Sequence, residues 1–168
     1  MEIFYAPRDV IQIDDATLIF KNFEGRETQY NRKGDRNFAI RIDNPDDAEK
    51  LRDRGWNVRI KPGRDEDDGP FMYLPVKLGY NKRDDGTVFG PNAYLWSGNN
   101  RITLDEESIS TLDQIEIETV NLDIRPNDWN ISGRSGRTAW LKNIEVYQRI
   151  DRFAARYAQM DREDEQYY

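Results

Sequence analysis

Cysteine and histidine are both absent from the 168 residues. Without them, thiol nucleophiles, histidine triads and Cys/His zinc sites drop out, and folding needs no oxidising compartment. An enzyme would have to work with Asp and Glu around magnesium, or with a Lys or Tyr. No apolar run approaches the ~18 residues of a membrane span. The start, MEIFYAPRDV, lacks the basic-then-apolar order of a secretory signal. These absences lead to the expectation of a non-enzymatic, cytoplasmic protein with no cofactor and no metal.

Positive charge is also in deficit, with 25 Lys and Arg against 32 Asp and Glu and a net charge of −7. Taken as a sum, that disfavours a polyanionic partner. The distribution reverses the inference. Residues 64–68 and 161–168 each carry a net −3, whereas residues 21–42 hold six basic and three acidic residues. The acid is segregated into two short pieces, and the body is near neutral with basic zones.

Most of the chain alternates with period 2, the signature of strands. Ile11 and Ile13 share one parity, while Ala16, Leu18 and Phe20 share the other, which predicts a β-bulge near Asp14–Asp15. Phe38, Ile40 and Ile42 fall on one face, as do Trp56, Val58 and Ile60, and Met72, Leu74, Val76 and Leu78. A second shift separates Ile115 and Ile117 from Val120, Leu122 and Ile124. The residues around SGRSG read as a long hairpin, with TAWLKNIEVYQ its second strand.

Three short helices are expected. The first has Asn44 as N-cap, Pro45 at its first position and Gly55 as terminator. Thr103 and Glu106 are spaced for a capping box at the start of a second. The third places Ile150, Phe153, Ala154 and Tyr157 on one stripe. Together these features predict a mainly β fold: an OB-like small antiparallel barrel over residues 1–160 with two or three short helices, followed by an acidic disordered tail over 161–168.

Rings beside cations point to single-stranded nucleic acid, whose unpaired bases stack while phosphates meet positive charge. In PFMYLPVK, Phe71, Tyr73 and Lys77 lie opposite the apolar set; the alternative is that a neighbouring element covers the rings. In ETQYNRKGDRNFAI, Tyr30 precedes Arg32, Lys33 and Arg36 around Gly34; the alternative is a solvated hairpin tip. In NAYLWSGNNR, Tyr94 and Trp96 oppose Leu95, with Arg101 beyond the turn, and the sequence leaves open which face is core. The hairpin offers Arg134, Arg137 and Lys142 with Trp129 and Trp140, of which Trp140 suits the core. Asp65 to Asp68 could in principle hold Mg²⁺, but adjacent carboxylates cannot all face one ion, so a solvated charge run is the better reading.

The phrases NFEGRETQYNRKGDRNFAIRI, GWNVRIKP, PFMYLPVKLGYN and GRTAWLKNIEVYQ resemble phage-encoded single-stranded DNA-binding proteins, over roughly residues 10–158. The ending MDREDEQYY is similar to the acidic, aromatic-tipped tails of bacterial and phage proteins of that kind, although the usual tip is a single Phe and Arg162 interrupts the acids. The resemblance implies an OB barrel that sequesters single strands during phage DNA replication, recombination and repair, in the host cytoplasm. It also implies a tail, through Asp161, Glu163, Asp164, Glu165, Tyr167 and Tyr168, that recruits a polymerase, helicase or primase. Two other readings stand beside it: an acidic DNA mimic that inhibits a basic partner, and a magnesium-dependent nuclease. Self-association stays open, as does the choice between DNA and RNA.

Overall fold

One left-handed residue shapes the start of the fold in the computed structural model, which describes residues 1–63, 67, 69–150 and 160. β1 (Glu2–Tyr5) and β2 (Ile11–Asp14) pair as an antiparallel hairpin. At Asp15 the backbone swings to φ 53°, and β3 (Thr17–Asn22) continues with the opposite parity. Ile11, Ile13 and Ala16 are buried as a result, which is the outcome the parity shift requires.

The bend splits one length of chain between two partners. β3 pairs with β4 (Arg36–Ile42), and β2 pairs with the much later β11 (Ile117–Ile131). The Ala16 N–H still donates to the Val120 carbonyl at 2.8 Å. After β4 comes α1 (Pro45–Asp53), capped by Asn44, whose side-chain oxygen accepts from the Asp46 N–H at 2.9 Å, and closed by Gly55 at φ 88°. This is the expected first helix.

β5 (Arg59–Lys61) and β4 flank β6 (Phe71–Leu78) on opposite edges. β7 (Asn81–Lys82) and β8 (Val88–Phe89) make a separate two-stranded sheet. β9 (Asn92–Ser97) and β10 (Asn100–Leu104) form a hairpin, and β11 joins β12 (Arg134–Gln148) through a two-residue turn. Ser132 at φ 51° and Gly133 at φ 80° supply the left-handed pair that such a turn needs. Leu74, Val76, Ile124, Leu141, Ile144 and Val146 meet the helix residues Ala48 and Leu51 in one core.

Three expectations are corrected. The sheet is mixed rather than antiparallel, because β12 runs parallel to β6 at Ala139–Trp140 and to β9 at Asn143–Tyr147. The paired path is open, β1-β2-β11-β12-β6-β4-β3, with no closed barrel ladder among the described residues; the bend at Asp15 runs from β2, next to one end of the path, into β3 at the other end. The second helix is a 3-10 segment, Ile109–Asp113, and Thr103 belongs to β10. Asp105 takes the capping role instead. Its carboxylate accepts from the Ser108 hydroxyl at 2.9 Å and from the N–H groups of Ser108 and Glu107, both at 3.0 Å, and these bonds, the hydroxyl's foremost, hold its carboxyl below the ordinary range. Ile109 and Leu112 then face the core three residues apart, the 3-10 repeat.

The third expected helix (151–159), the acidic run apart from Asp67, and the tail residues 161–168 lie outside the described residues. Among the described residues, no helix is long and apolar enough to cross a membrane.

Candidate nucleic-acid interface

The outward face of β4 and β6 dips in the middle because its side chains are small there. Ala39 and Pro75 are cross-strand neighbours on that face. Proline is tolerated because β5 covers β6 only to Tyr73 and β12 begins only at Val76, so no ladder bond is lost. Around this dip the flanking elements line an open groove of about 1790 Å³.

The first wall is the loop of residues 23–35, which has a defined shape set by three asparagines. Asn22 accepts from the N–H groups of Gly25 and Arg26 at 3.1 and 2.9 Å. Asn31 donates to the carbonyls of Arg26 and Asp35, each at 2.9 Å, and its own oxygen accepts from Asn37 at 2.7 Å. Gly25, at φ 76°, sits where a Cβ would come 3.0 Å from the Gly34 backbone, so the loop closes only with glycine there. The base of the loop is held by the Asp113 carboxylate, which accepts from the N–H groups of Phe23 and Glu24 at 2.9 Å. So anchored, the loop holds out Tyr30 at 91% exposure beside Arg26 and Arg32.

Other walls come from β5, which contributes Arg59 and Lys61; from Tyr80, just before β7, and Phe89 of β8; and from the hairpin, with Arg125, Trp140 and Lys142. Lys77 stands on the floor beside Trp140, its cross-strand partner. With Lys21 and Arg36, nine basic residues line the groove against two acidic ones, Asp35 and Glu106. Among the described residues, Arg32, Arg59, Lys61, Lys77, Arg125 and Lys142 have no carboxylate within salt-bridge distance. A chain of net charge −7 thus concentrates positive charge in one concavity.

Not every expected site residue belongs to it. Tyr30, Arg32, Arg36, Tyr73 and Lys77 line the groove. Phe71 is half-buried at its margin, 5.6 Å from the Tyr73 ring. Arg36 donates to the Phe23 carbonyl at 2.6 Å and lies over Tyr80, so it also braces the loop. Lys33 and Arg134 are exposed but are not among the lining residues.

Tyr94, Trp96 and Arg101 form a different patch. Leu95 is the core residue of β9, and Tyr94 and Trp96 face outward. Arg101 lies over the Tyr94 ring at 4.9 Å, Trp96 stacks on Tyr147 with ring centres 5.9 Å apart, and the Trp96 indole donates to Glu145.

Arg137 is engaged within the protein and lies outside the groove lining. Its side chain is only 15% exposed, pairs with Asp128 at 2.7 Å and Asp9 at 3.3 Å, donates to the Arg54 carbonyl and lies over Trp56. The pairing lowers the Asp128 carboxyl and raises the Arg137 guanidinium from their ordinary values.

Several groove residues escaped the sequence reading. Trp140, read as core, is half-buried and outward. Arg59, Lys61 and Arg125 gave no signal, being single cations in alternating strands. Parity groups Phe20 with Ala16 and Leu18, yet it is 55% exposed and lines the groove.

The family model described as "Putative phage ssDNA-binding domain" matches residues 2–168. The chain belongs to this family and is a phage single-stranded DNA-binding protein, a non-enzymatic class. Its fold is similar to the single-stranded DNA-binding protein from bacteriophage Enc34 in complex with ssDNA, with TM-score 0.54 and 13% identity over 89% of this chain and 92% of that one. A C-terminal truncation of the Enc34 protein gives TM-score 0.53 and 12% identity over 89% and 91%. At such identities the likeness is one of fold. No curated protein sequence matches the chain.

Proposed function

We propose that the groove over β4 and β6 is where this protein takes up single-stranded DNA, largely without regard to sequence. The observation that carries the reading is the nine-to-two excess of basic over acidic residues in a groove that also presents Tyr30 and Tyr73. Cations meet the phosphates, and rings meet whichever bases pass. The bend that carries the chain from β2 into β3, at the far end of the path, with its Ala16 N–H bonded to the Val120 carbonyl of β11, supports an OB-type barrel of the partly open kind. Arg32 and Lys77 contact phosphate, Tyr30, Phe71 and Tyr73 stack, and Arg36 holds the wall. The protein protects single strands during phage replication, recombination and repair, and the residues from Asp161 to Tyr168 recruit a replication partner. An acidic DNA mimic gains nothing from a positive groove.

Titration with oligo-dT, oligo-rU and duplex at two salt concentrations tests this. Oligo-dT should bind best, with log K falling linearly against log salt. Lys77→Ala and Arg32→Ala should each flatten that slope by roughly one contact. Equal or tighter binding of duplex, or a slope unchanged in both variants, would overturn the assignment of the groove.

A further inference from the structure

β3 gains one residue on β4. Ile19 pairs with Ala39 and Asn22 with Asn37, so three steps on β3 answer two on β4. The extra residue falls where Phe20 adopts φ 53°, a left-handed conformation that an aromatic residue rarely takes. Such strain persists only where the surroundings impose it, and it concentrates at functional positions.

The strain reverses the direction of the ring. Without the bulge, Phe20 would follow Leu18 toward the core; with it, the ring enters the groove at 55% exposure. There it meets Tyr73 edge-on, 5.5 Å away at 82°, and Phe71 at 6.2 Å and 52°. Neither neighbour lies parallel to it. The Lys61 ammonium stands 5.7 Å from the Phe20 ring centre and 5.9 Å from that of Phe71. A large apolar ring in water, held by a costly backbone and flanked by a cation, has the layout of a stacking surface awaiting a flat partner. The same bulge starts the Asn22-stitched loop that presents Tyr30, so one insertion sets both rings.

We infer that Phe20 is a base-stacking residue for single-stranded DNA, presented by the bulge in β3, with Lys61 placed for the adjoining phosphate. The inference rests on the groove being the DNA site. The test compares wild type, Phe20→Gly and Phe20→Leu. Glycine suits a positive φ, so Phe20→Gly should keep or raise the thermal midpoint. Leucine keeps an apolar side chain and removes the ring.

Both variants should bind oligo-dT roughly 5- to 150-fold more weakly, with the salt slope unchanged, since the loss is of stacking and not of phosphate contact. An abasic oligomer of equal length, having nothing to stack, should bind all three proteins alike. Oligo-dT affinity equal to wild type in Phe20→Leu, or an equal loss on the abasic oligomer, would overturn the inference and leave the groove assignment standing. Failure of wild type to bind oligo-dT would instead overturn the groove assignment.

Discussion

Tyr80 shows how a single side chain serves the groove without being free to do so. Its ring packs under Gly90, where any Cβ would collide with it, and its hydroxyl is buried with no hydrogen-bond partner among the described residues. Burial, opposed by the Arg36 cation, pushes the phenol up to about 12. The neutral form is therefore favoured on folding. Its contribution is intact below the ordinary tyrosine value near 10 and is lost as pH rises through about 12. Tyr5 and Tyr147 are also raised, so a tyrosinate absorbance titration should show several late-ionising tyrosines, and the step near 12 should be absent in Tyr80→Phe. Removing an unpaired buried hydroxyl should leave stability unchanged or raise it by about 1 kcal/mol, read as the denaturation midpoint. Alternation alone could separate Phe71 and Tyr73 from Leu74 and Val76, because β6 has no bulge. It misplaced Phe20, because a bulge leaves no mark on composition when neither residue beside it is a glycine.

At the scale of elements, the long hairpin is aimed by what its base holds. Both strands run 15 residues, and beyond Ala139 toward the tip β12 has no partner but β11. Arg137 ties that unsupported part to the body through Asp9 and the Arg54 carbonyl, and Asp9 itself sits at φ 59°. Arg137→Ala should cost roughly 1–2 kcal/mol in the denaturation midpoint. It should also speed hydrogen exchange in residues 127–138 while leaving β4 and β6 protected. Uniform exchange across the sheet would show that the arm needs no tether. The hairpin was legible from its glycines and its alternation. That Arg137 faces Trp56, and that Arg125 and Trp140 face the groove, follows from pairings between segments far apart in sequence, which periodicity does not encode.

For the molecule as a whole, the decisive property is where charge sits. Basic residues from β3, β4, β5, β6, β11 and β12 converge on one concavity, while the two acid-rich segments of the sequence each carry a net −3. A tethered polyanion competes with DNA at an effective concentration set by its tether. Removing residues 161–168 should therefore tighten oligo-dT binding at low salt, with the difference shrinking as salt rises. Equal affinities at low salt would refute that competition. The basic stretch over residues 21–42 was visible in the sequence. The shares of Arg59, Lys61 and Arg125 were not, since β5 and β11 bring them to the groove only through pairings between distant segments.

The place of β12 in the sheet has a consequence for how the protein is made. It is the hub, pairing with β11, β6 and β9, and it is also the last strand in the described chain. A polypeptide emerging from the ribosome holds β4, β6 and β9 long before anything can join them. Pairing across such separations is slow to form. Until Trp140 and Lys142 arrive, the groove has no far wall, so a half-made chain lacks the finished form of the surface proposed to take up DNA.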